Sequence, residues 1–192
     1  MLKTIAFVFA ALVAALLAYA AMQPDTFRVE RSIVVNAPPE RVHALVNDFH
    51  AWQAWSPWEK LDPALKRTFG GPASGVGATY AWEGDSKVGA GRMEITGSTP
   101  GAKVLIKLDF LKPIEGHHVT DFTFTPEGAG TRVNWLMTGP SPFISKLFGV
   151  IFNIGKQVGG QFEEGLGNLK AVAEKEAAAQ PAASAPTAGK GG

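Results

Sequence analysis

Two polar residues stand where the pattern of the chain predicts apolar ones, and they are the first candidates for binding or acid–base chemistry. Arg31 and His118 each interrupt the apolar side of a segment in which apolar and polar residues alternate. A buried polar group is costly unless it is hydrogen-bonded, so either side chain could hold the polar end of a ligand. His118 is the first candidate for a catalytic acid or base. The alternative is that each residue marks a bulge, a register slip or the rim of a sheet.

The other ionisable residues argue against the familiar catalytic and metal sites. Glu94 and Asp121 fall on the polar side of their segments, where carboxylates are solvated. His117 and His118 are neighbours in a predicted strand, so they point to opposite faces and cannot readily bind one ion. No spacing resembles a Ser-His-Asp set, a nucleophile elbow or a phosphate loop. The chain has no cysteine, which excludes disulfides and thiolate sites. We therefore expect no metal and no cofactor.

Three of the five tryptophans, Trp52, Trp55 and Trp58, recur at every third position. They lie between a short helical pattern and a long run of strand patterns. So much apolar surface at one place has two interpretations: the indoles pack the junction of helix and sheet, or they line the mouth of a pocket. Each indole N–H also needs a hydrogen-bond partner, so we do not expect all three to be completely buried.

The elements that would position these residues follow from the periodicity. One strand is predicted over 27–35, two short helices before position 58, six strands over 66–138 and a long helix over 142–175. Because successive strands are this close, hairpins must join them and the sheet must be antiparallel. Six glycines interrupt the last helix and predict a kink, a break near Gly159 and Gly160, or the close approach of a neighbour.

This order of elements predicts an α+β fold in which a curved antiparallel sheet wraps around the long C-terminal helix. An apolar sheet face needs a cover, and only that helix is long enough. We expect an apolar cavity between the two, lined by side chains from both. The predicted ligand-contacting residues are Trp55, Trp58, Tyr80, Trp82, Met93, Ile106, Phe122, Phe124, Trp135 and Phe162.

The N-terminal segment predicts export or anchoring. Residues Ile5 to Ala21 are apolar and uncharged, with Lys3 ahead of them. They would span roughly 26 Å as a helix, just short of a hydrocarbon core. Ala18-Tyr19-Ala20 would equally suit a cleaved signal peptide. Either interpretation places the domain outside the cytoplasm, with the anchored form on the periplasmic side of the membrane. We therefore expect an anchor or signal over 1–22, a domain over 27–175 and a disordered Ala/Pro/Gly tail over 176–192.

The start of the last helix, from Phe143 to Phe152, is apolar on more than one face. Packing in the core is one interpretation, and contact with a nearby bilayer is the other.

Three segments carry a resemblance to a known family: Phe27 to Val42, Trp52 to Glu59, and Gly165 to Lys170. Over roughly Phe27 to Glu174 the chain resembles the START-like, or SRPBCC, superfamily in its polyketide cyclase/dehydrase and lipid-transport branch. The resemblance implies a helix-grip fold with a deep hydrophobic pocket. It implies no particular reaction, because the superfamily mixes enzymes, transporters and receptors.

Three functions remain open from the sequence. The first is a membrane-tethered binding protein for a hydrophobic small molecule or lipid, without catalysis. The second is an enzyme of cyclase or dehydratase type that uses an acid or base in the cavity. The third is a scaffold whose interior is filled by its own side chains. The net charge of +1 gives no long-range field for nucleic acid, so we expect no nucleic-acid partner.

Overall fold

The structure is a computed structural model that describes residues 1–179. Its seven strands form one antiparallel sheet in the order β1-β7-β6-β5-β4-β3-β2, which confirms the predicted α+β fold with a C-terminal helix. The elements are α1 (Leu2–Ala21), β1 (Thr26–Val35), α2 (Pro39–Asn47), α3 (Trp52–Trp55), a 3₁₀ turn (Pro57–Lys60), β2 (Lys66–Gly70), β3 (Thr79–Glu83), β4 (Ala90–Thr99), β5 (Lys103–Lys112), β6 (Gly116–Glu127), β7 (Gly130–Pro140), α4 (Phe143–Phe152) and α5 (Ile154–Ala179).

Short turns join the strands, as the sequence predicts. Strands β6 and β7 are separated by two residues, and Gly128 takes the left-handed conformation (φ 59°) that such a tight turn needs. Strand β1 pairs with the last strand, so that Thr26 lies opposite Pro140. The first and last strands therefore meet at one edge of the sheet.

Helix α5 covers the inner face of the sheet and runs in the same direction as β1. Arg31 Nε donates to Glu163 Oε1 at 2.6 Å in the first half of the helix. Further along, Lys170 Nζ donates to the Val34 carbonyl at 2.7 Å, and the Asn36 amide donates to Glu174 Oε1 at 2.7 Å. These bonds fix the position of the helix along the edge strand.

The predicted single helix over 142–175 is in fact two helices, and the predicted break near Gly159 and Gly160 is wrong. The break falls at Asn153, which has a left-handed backbone (φ 52°). Asparagine visits that conformation more readily than other residues with a side chain. Gly159 instead lies against the guanidinium of Arg31, so close approach of a neighbour explains that glycine.

The centre of the interior is filled by aromatic side chains. Phe162 of α5 stacks on Trp135 of β7, with ring centroids 3.9 Å apart and planes 11° from parallel. Phe122 and Trp55 pack against the same indole and are fully buried. The cavity predicted between the sheet and the long helix is therefore absent at this level, where Phe162 and Trp135 are in direct contact.

Two predicted boundaries also shift. The second short helix, expected from Phe49, begins at Trp52 and is followed by the 3₁₀ turn, because Pro57 ends its hydrogen bonding. Helix α5 continues to Ala179, four residues into the segment predicted as a disordered tail. The rest of that tail, 180–192, lies outside the described residues.

The contact between α5 and the sheet can be tested at Gly165. A Cβ atom there would lie 3.0 Å from the Trp135 ring and 3.1 Å from Pro57. We expect Gly165→Leu to lower the free energy of unfolding by about 1–3 kcal/mol, the usual effect of overpacking, as measured by denaturant titration.

Gly167 provides the matched control, because it is exposed on the same helix and a Cβ there would meet nothing within 4 Å. Gly167→Leu should leave the free energy of unfolding unchanged or raise it by up to ~1 kcal/mol, since leucine is the better helix former. Equal effects of the two substitutions would contradict the close contact.

Candidate ligand-binding site

One end of the inner sheet face carries a continuous series of aromatic rings, which we call the aromatic row. Its neighbouring ring centroids lie 5.5, 5.5, 6.0 and 6.0 Å apart. The row crosses the sheet from the edge strand β1 to β3. Its members, in spatial order, are Phe27, His118, Phe110, Trp82 and Tyr80.

Strand register brings these distant residues together. His118 on β6 lies opposite Leu108 on β5, while Phe110 and Trp82 both lie opposite Gly91 on β4. The glycine lets the Trp82 ring lie directly over the β4 backbone, where any side chain would collide with it. All members belong to the sheet end at which β1 begins and β7 ends.

Helix α5 stops short of this end. Phe27 lies four residues before Arg31, roughly 13 Å along the strand. Helix α5 begins at Ile154, only five residues, or roughly 8 Å, before Gly159, which contacts Arg31. Phe27, Trp82, Phe110 and His118 are accordingly half-buried, whereas the centre of the core is closed. The row is therefore an apolar surface without a complete cover.

His118 is the polar member of the row, and the structure places it on the inner face as the sequence predicts. Its ring packs edge-on against Phe27 and Phe110. Its Nδ1 atom is buried and has no hydrogen-bond partner within the described residues. Burial, and secondarily the neighbouring His117, lower the pKa of His118 below its ordinary value. The imidazole is therefore neutral at physiological pH.

Arg31, the other polar candidate, lies at the rim of the sheet. It belongs to the edge strand and pairs with Glu163 of α5, so it is outside the aromatic row. Of the alternatives that the sequence leaves open for Arg31, the rim position is the one that the structure shows.

A partly buried polar cluster lies at the Tyr80 end of the row, and no local sequence pattern predicts it. The Tyr80 hydroxyl donates to Glu59 Oε1 at 2.6 Å, and Arg67 Nε donates to Glu59 Oε2 at 2.5 Å. Burial, followed by the Glu59 carboxylate, raises the pKa of Tyr80 well above its ordinary value, so the hydroxyl stays a donor. Glu59 follows Trp58 in the run of tryptophans, but nothing in that run indicates its distant partners.

The ten predicted ligand-contacting residues fall into two groups. Trp58 and Trp82 are half-buried, whereas Tyr80 and Met93 are buried, with 5% and 8% exposure. The other six are in the packed core, at 0–3% exposure: Trp55, Ile106, Phe122, Phe124, Trp135 and Phe162. Contact of any of them with a ligand stays a prediction. Phe27 and Phe110 were not among the ten, although their apolar alternation was a usable signal.

The tryptophan run divides in the same way. Trp52 and Trp55 are core residues whose indole N–H groups donate to the carbonyls of Val46 and Leu45, at 3.0 and 3.1 Å. Trp58 stays half-buried beside Trp135 and Phe162.

A separate groove of about 350 Å³ lies on the outer face of the sheet. Its floor is an ionic network in which Asp109 accepts from His117 at 2.7 Å and from Arg92 at 3.0 Å. The hydrogen bond from His117 is the main reason that the pKa of Asp109 falls to about 2. These groups satisfy one another, so the groove is accounted for as cross-strand stabilisation. Within residues 1–179, no three His, Cys, Asp or Glu side chains are grouped to hold a metal.

The environment of His118 has a measurable pH signature. Its pKa is lower in the folded chain than the ordinary 6.5, so the folded state binds its proton less well than the unfolded state. The stability that this group contributes is complete above pH 6.5 and is lost as the pH falls toward the folded pKa. We expect the free energy of unfolding of the wild type to fall, between pH 7.5 and 5.5, more than that of His118→Phe.

The unfolding free energies of the wild type and His118→Phe cannot diverge by more than ~1.4 kcal/mol per pH unit, because one group titrates. Val119→Ala is the control, because Val119 cannot titrate and is 43% exposed on the outer face beside His118, so the pH dependence should stay as in the wild type. Parallel curves for the wild type and His118→Phe would show that the imidazole is not desolvated.

Comparison with known proteins supports the fold. The family model described as polyketide cyclase/dehydrase and lipid transport matches residues 26–174. Protein CV1439 from Chromobacterium violaceum superposes with a TM-score of 0.55 at 19% identity, covering 79% of this chain and 99% of that one. No curated protein matches the sequence.

Two further solved structures share the architecture. The di-domain ARO/CYC StfQ from the steffimycin biosynthetic pathway gives a TM-score of 0.60 at 15% identity, covering 80% of this chain and 52% of that one. KanY gives 0.58 at 20% identity, covering 78% and 98%. These identities show the fold alone, but the family match spans most of the chain. The chain belongs to the polyketide cyclase/dehydrase and lipid transport family, with the SRPBCC-type helix-grip fold.

Proposed function

We propose that the protein is a membrane-tethered binding protein for a hydrophobic small molecule or lipid, which it holds against the aromatic row. The observation that carries the proposal is the row itself, a continuous aromatic surface at the end of the sheet that α5 does not reach, whose four members from Phe27 to Trp82 are half-buried. A contiguous apolar surface that stays partly exposed is a common feature of ligand-binding grooves.

The chemistry of the row favours an apolar ligand with few polar groups. Burying ligand surface against the rings would contribute about 25 cal/mol per Å². His118 Nδ1 offers one buried polar atom without a partner in the described residues. A hydroxyl or carboxyl group of a ligand would satisfy that atom and orient the rest of the molecule along the row.

The packed centre limits where the ligand sits. Because Phe162 and Trp135 are in van der Waals contact, the ligand lies at the end of the grip and is not enclosed along its length. The idea of a scaffold filled by its own side chains describes the centre of the molecule. It does not account for the half-buried row.

Helix α1 supports the tether. It is 20 residues long, carries one charged residue, Lys3, and is apolar enough to cross a membrane; its length is roughly 30 Å. Ala20, near the end of α1, is fully buried. An uncleaved α1 would keep this contact with the domain, with Lys3 on the cytoplasmic side and the domain on the periplasmic side.

A second candidate function is an enzyme of the cyclase or dehydratase type. The observation in its favour is a neutral imidazole in an apolar site, since burial lowers the pKa of His118. Such a group can accept a proton at neutral pH. StfQ, which shares the fold, is named as a di-domain ARO/CYC from a biosynthetic pathway, and that name also favours an enzyme. If His118→Gln leaves every detected turnover unchanged, His118 is not the base.

Binding at the row is tested by native mass spectrometry of the full chain released gently from membranes. We expect the wild type to carry an apolar molecule and Phe110→Ala to carry it at least about 10-fold less tightly, because removing a phenylalanine ring that the ligand buries costs ~1.5–3 kcal/mol of apolar contact.

Val119→Ala is the matched control. Val119 is 43% exposed on the outer face and lies on β6 next to His118, so its truncation should not alter the bound fraction. A wild-type protein that releases no apolar molecule on lipid extraction, and takes none up from vesicles, would contradict the proposal.

A further inference from the structure

Helix α4 exposes an apolar face that has no cover within the described residues. Ile144, Phe148, Ile151 and Phe152 recur on one side of the helix, and we call this side the α4 face. They are exposed to 50, 36, 52 and 50%. The rings of Phe148 and Phe152 stack on each other with centroids 5.6 Å apart. Four large apolar side chains at this spacing form a surface that is suited to an apolar partner.

The opposite side of α4 is firmly attached to the domain. Lys146 is buried, and its Nζ donates to Asp25 Oδ1 at 2.6 Å. The Ser141 amide also donates to the Asp25 carbonyl at 2.7 Å. These contacts tie the helix to the residue that immediately precedes β1, so the α4 face has a fixed direction.

Helix α4 also packs against α1. Leu16 and Ala20, four residues apart near the C-terminal end of α1, are the α1 positions that lose exposure. Any membrane crossed by α1 would have its surface near this last turn. Contact with α1 therefore places α4 at the depth of the membrane interface.

The charge of the segment fits an anionic lipid surface. No acidic residue occurs from Gly139 to Phe162, while Lys146 and Lys156 are present. Lys146 is neutralised by Asp25, and Lys156 is exposed just beyond the α4 face. An apolar face flanked by a cation and free of carboxylates is typical of a helix that lies in the plane of a membrane interface.

We propose that the α4 face lies in the outer leaflet of the same membrane that α1 crosses, as a second membrane contact of the domain. The proposal rests on the tether proposed above. The bilayer is the partner of the α4 face, because α4 packs against α1, which would itself lie in that bilayer.

The position of α4 in the interface would determine the route by which a ligand reaches the row. Thr26 pairs with Pro140, three residues before α4 begins, and Phe27 at the next position starts the aromatic row. With α4 in the interface, the half-buried end of the row lies close to the lipid. A lipid could then move between the leaflet and the row without crossing open water, so this arrangement favours membrane lipids as the source of the ligand.

The test uses the full chain in vesicles of phosphatidylcholine and phosphatidylglycerol. The protein has no cysteine, so nitroxide labels can be attached to single variants Ile151→Cys, Leu12→Cys and Val119→Cys. Leu12 reports on α1, and Val119 is the exposed control on the outer sheet face. Electron paramagnetic resonance then compares collision of each label with oxygen, which concentrates in lipid, and with a water-soluble nickel chelate.

We expect the Ile151 label to collide readily with oxygen and several-fold less with the nickel chelate than the Val119 label, at a shallower depth than Leu12. If Ile151 is as accessible to nickel as Val119 while Leu12 is in lipid, the α4 contact is wrong and the tether stands. A label at Ile151 shielded from both reagents means that protein, such as a second copy, covers the α4 face, which also overturns the proposal. A nickel-accessible Leu12 removes the tether and the α4 contact together.

Discussion

The stacking of Phe162 on Trp135 sets the distance between the long helix and the sheet, and the rest of the architecture depends on it. With centroids 3.9 Å apart, the two rings leave no room for a ligand between them. Gly165, one turn later, lets the helix backbone approach the same indole. The centre of the molecule is thus a packed core, and apolar surface that can receive a ligand is limited to the end of the sheet.

The break at Asn153 determines which end that is. Because α5 begins only at Ile154, the rings from Phe27 to Trp82 are left partly uncovered. The chain before the break forms α4, which turns toward α1 and exposes its own apolar side. One left-handed residue therefore separates a helix that closes the core from a helix that faces away from it. The uncovered row, the α4 face and the N-terminal helix all lie at the same end of the domain.

The sheet was predictable from the sequence because every strand pairs with a neighbour in chain order or with the edge strand, so alternation alone defines its two faces. His118 could be placed on the inner face for the same reason. Depth was not predictable: Trp82 and Trp135 alternate alike, yet one is half-buried and the other is closed off by Phe162. The Glu59 cluster depends on a contact with Tyr80, 21 residues away, which no local pattern encodes. The break at Asn153 was missed because six glycines nearby gave a stronger signal than one asparagine.

Binding at the aromatic row requires an apolar molecule to touch its rings, and photo-crosslinking measures this contact most directly. The full chain in its membrane would be exposed to a long-chain fatty acid carrying a diazirine, irradiated and digested, and the adducts would be mapped by mass spectrometry. The account predicts adducts on the strands that hold Phe27, Phe110 and Trp82, reduced by competition with unlabelled fatty acid. Adducts confined to α1 and α4, with none on those strands, would show that the probe meets the protein only within the bilayer and would contradict a binding site on the sheet.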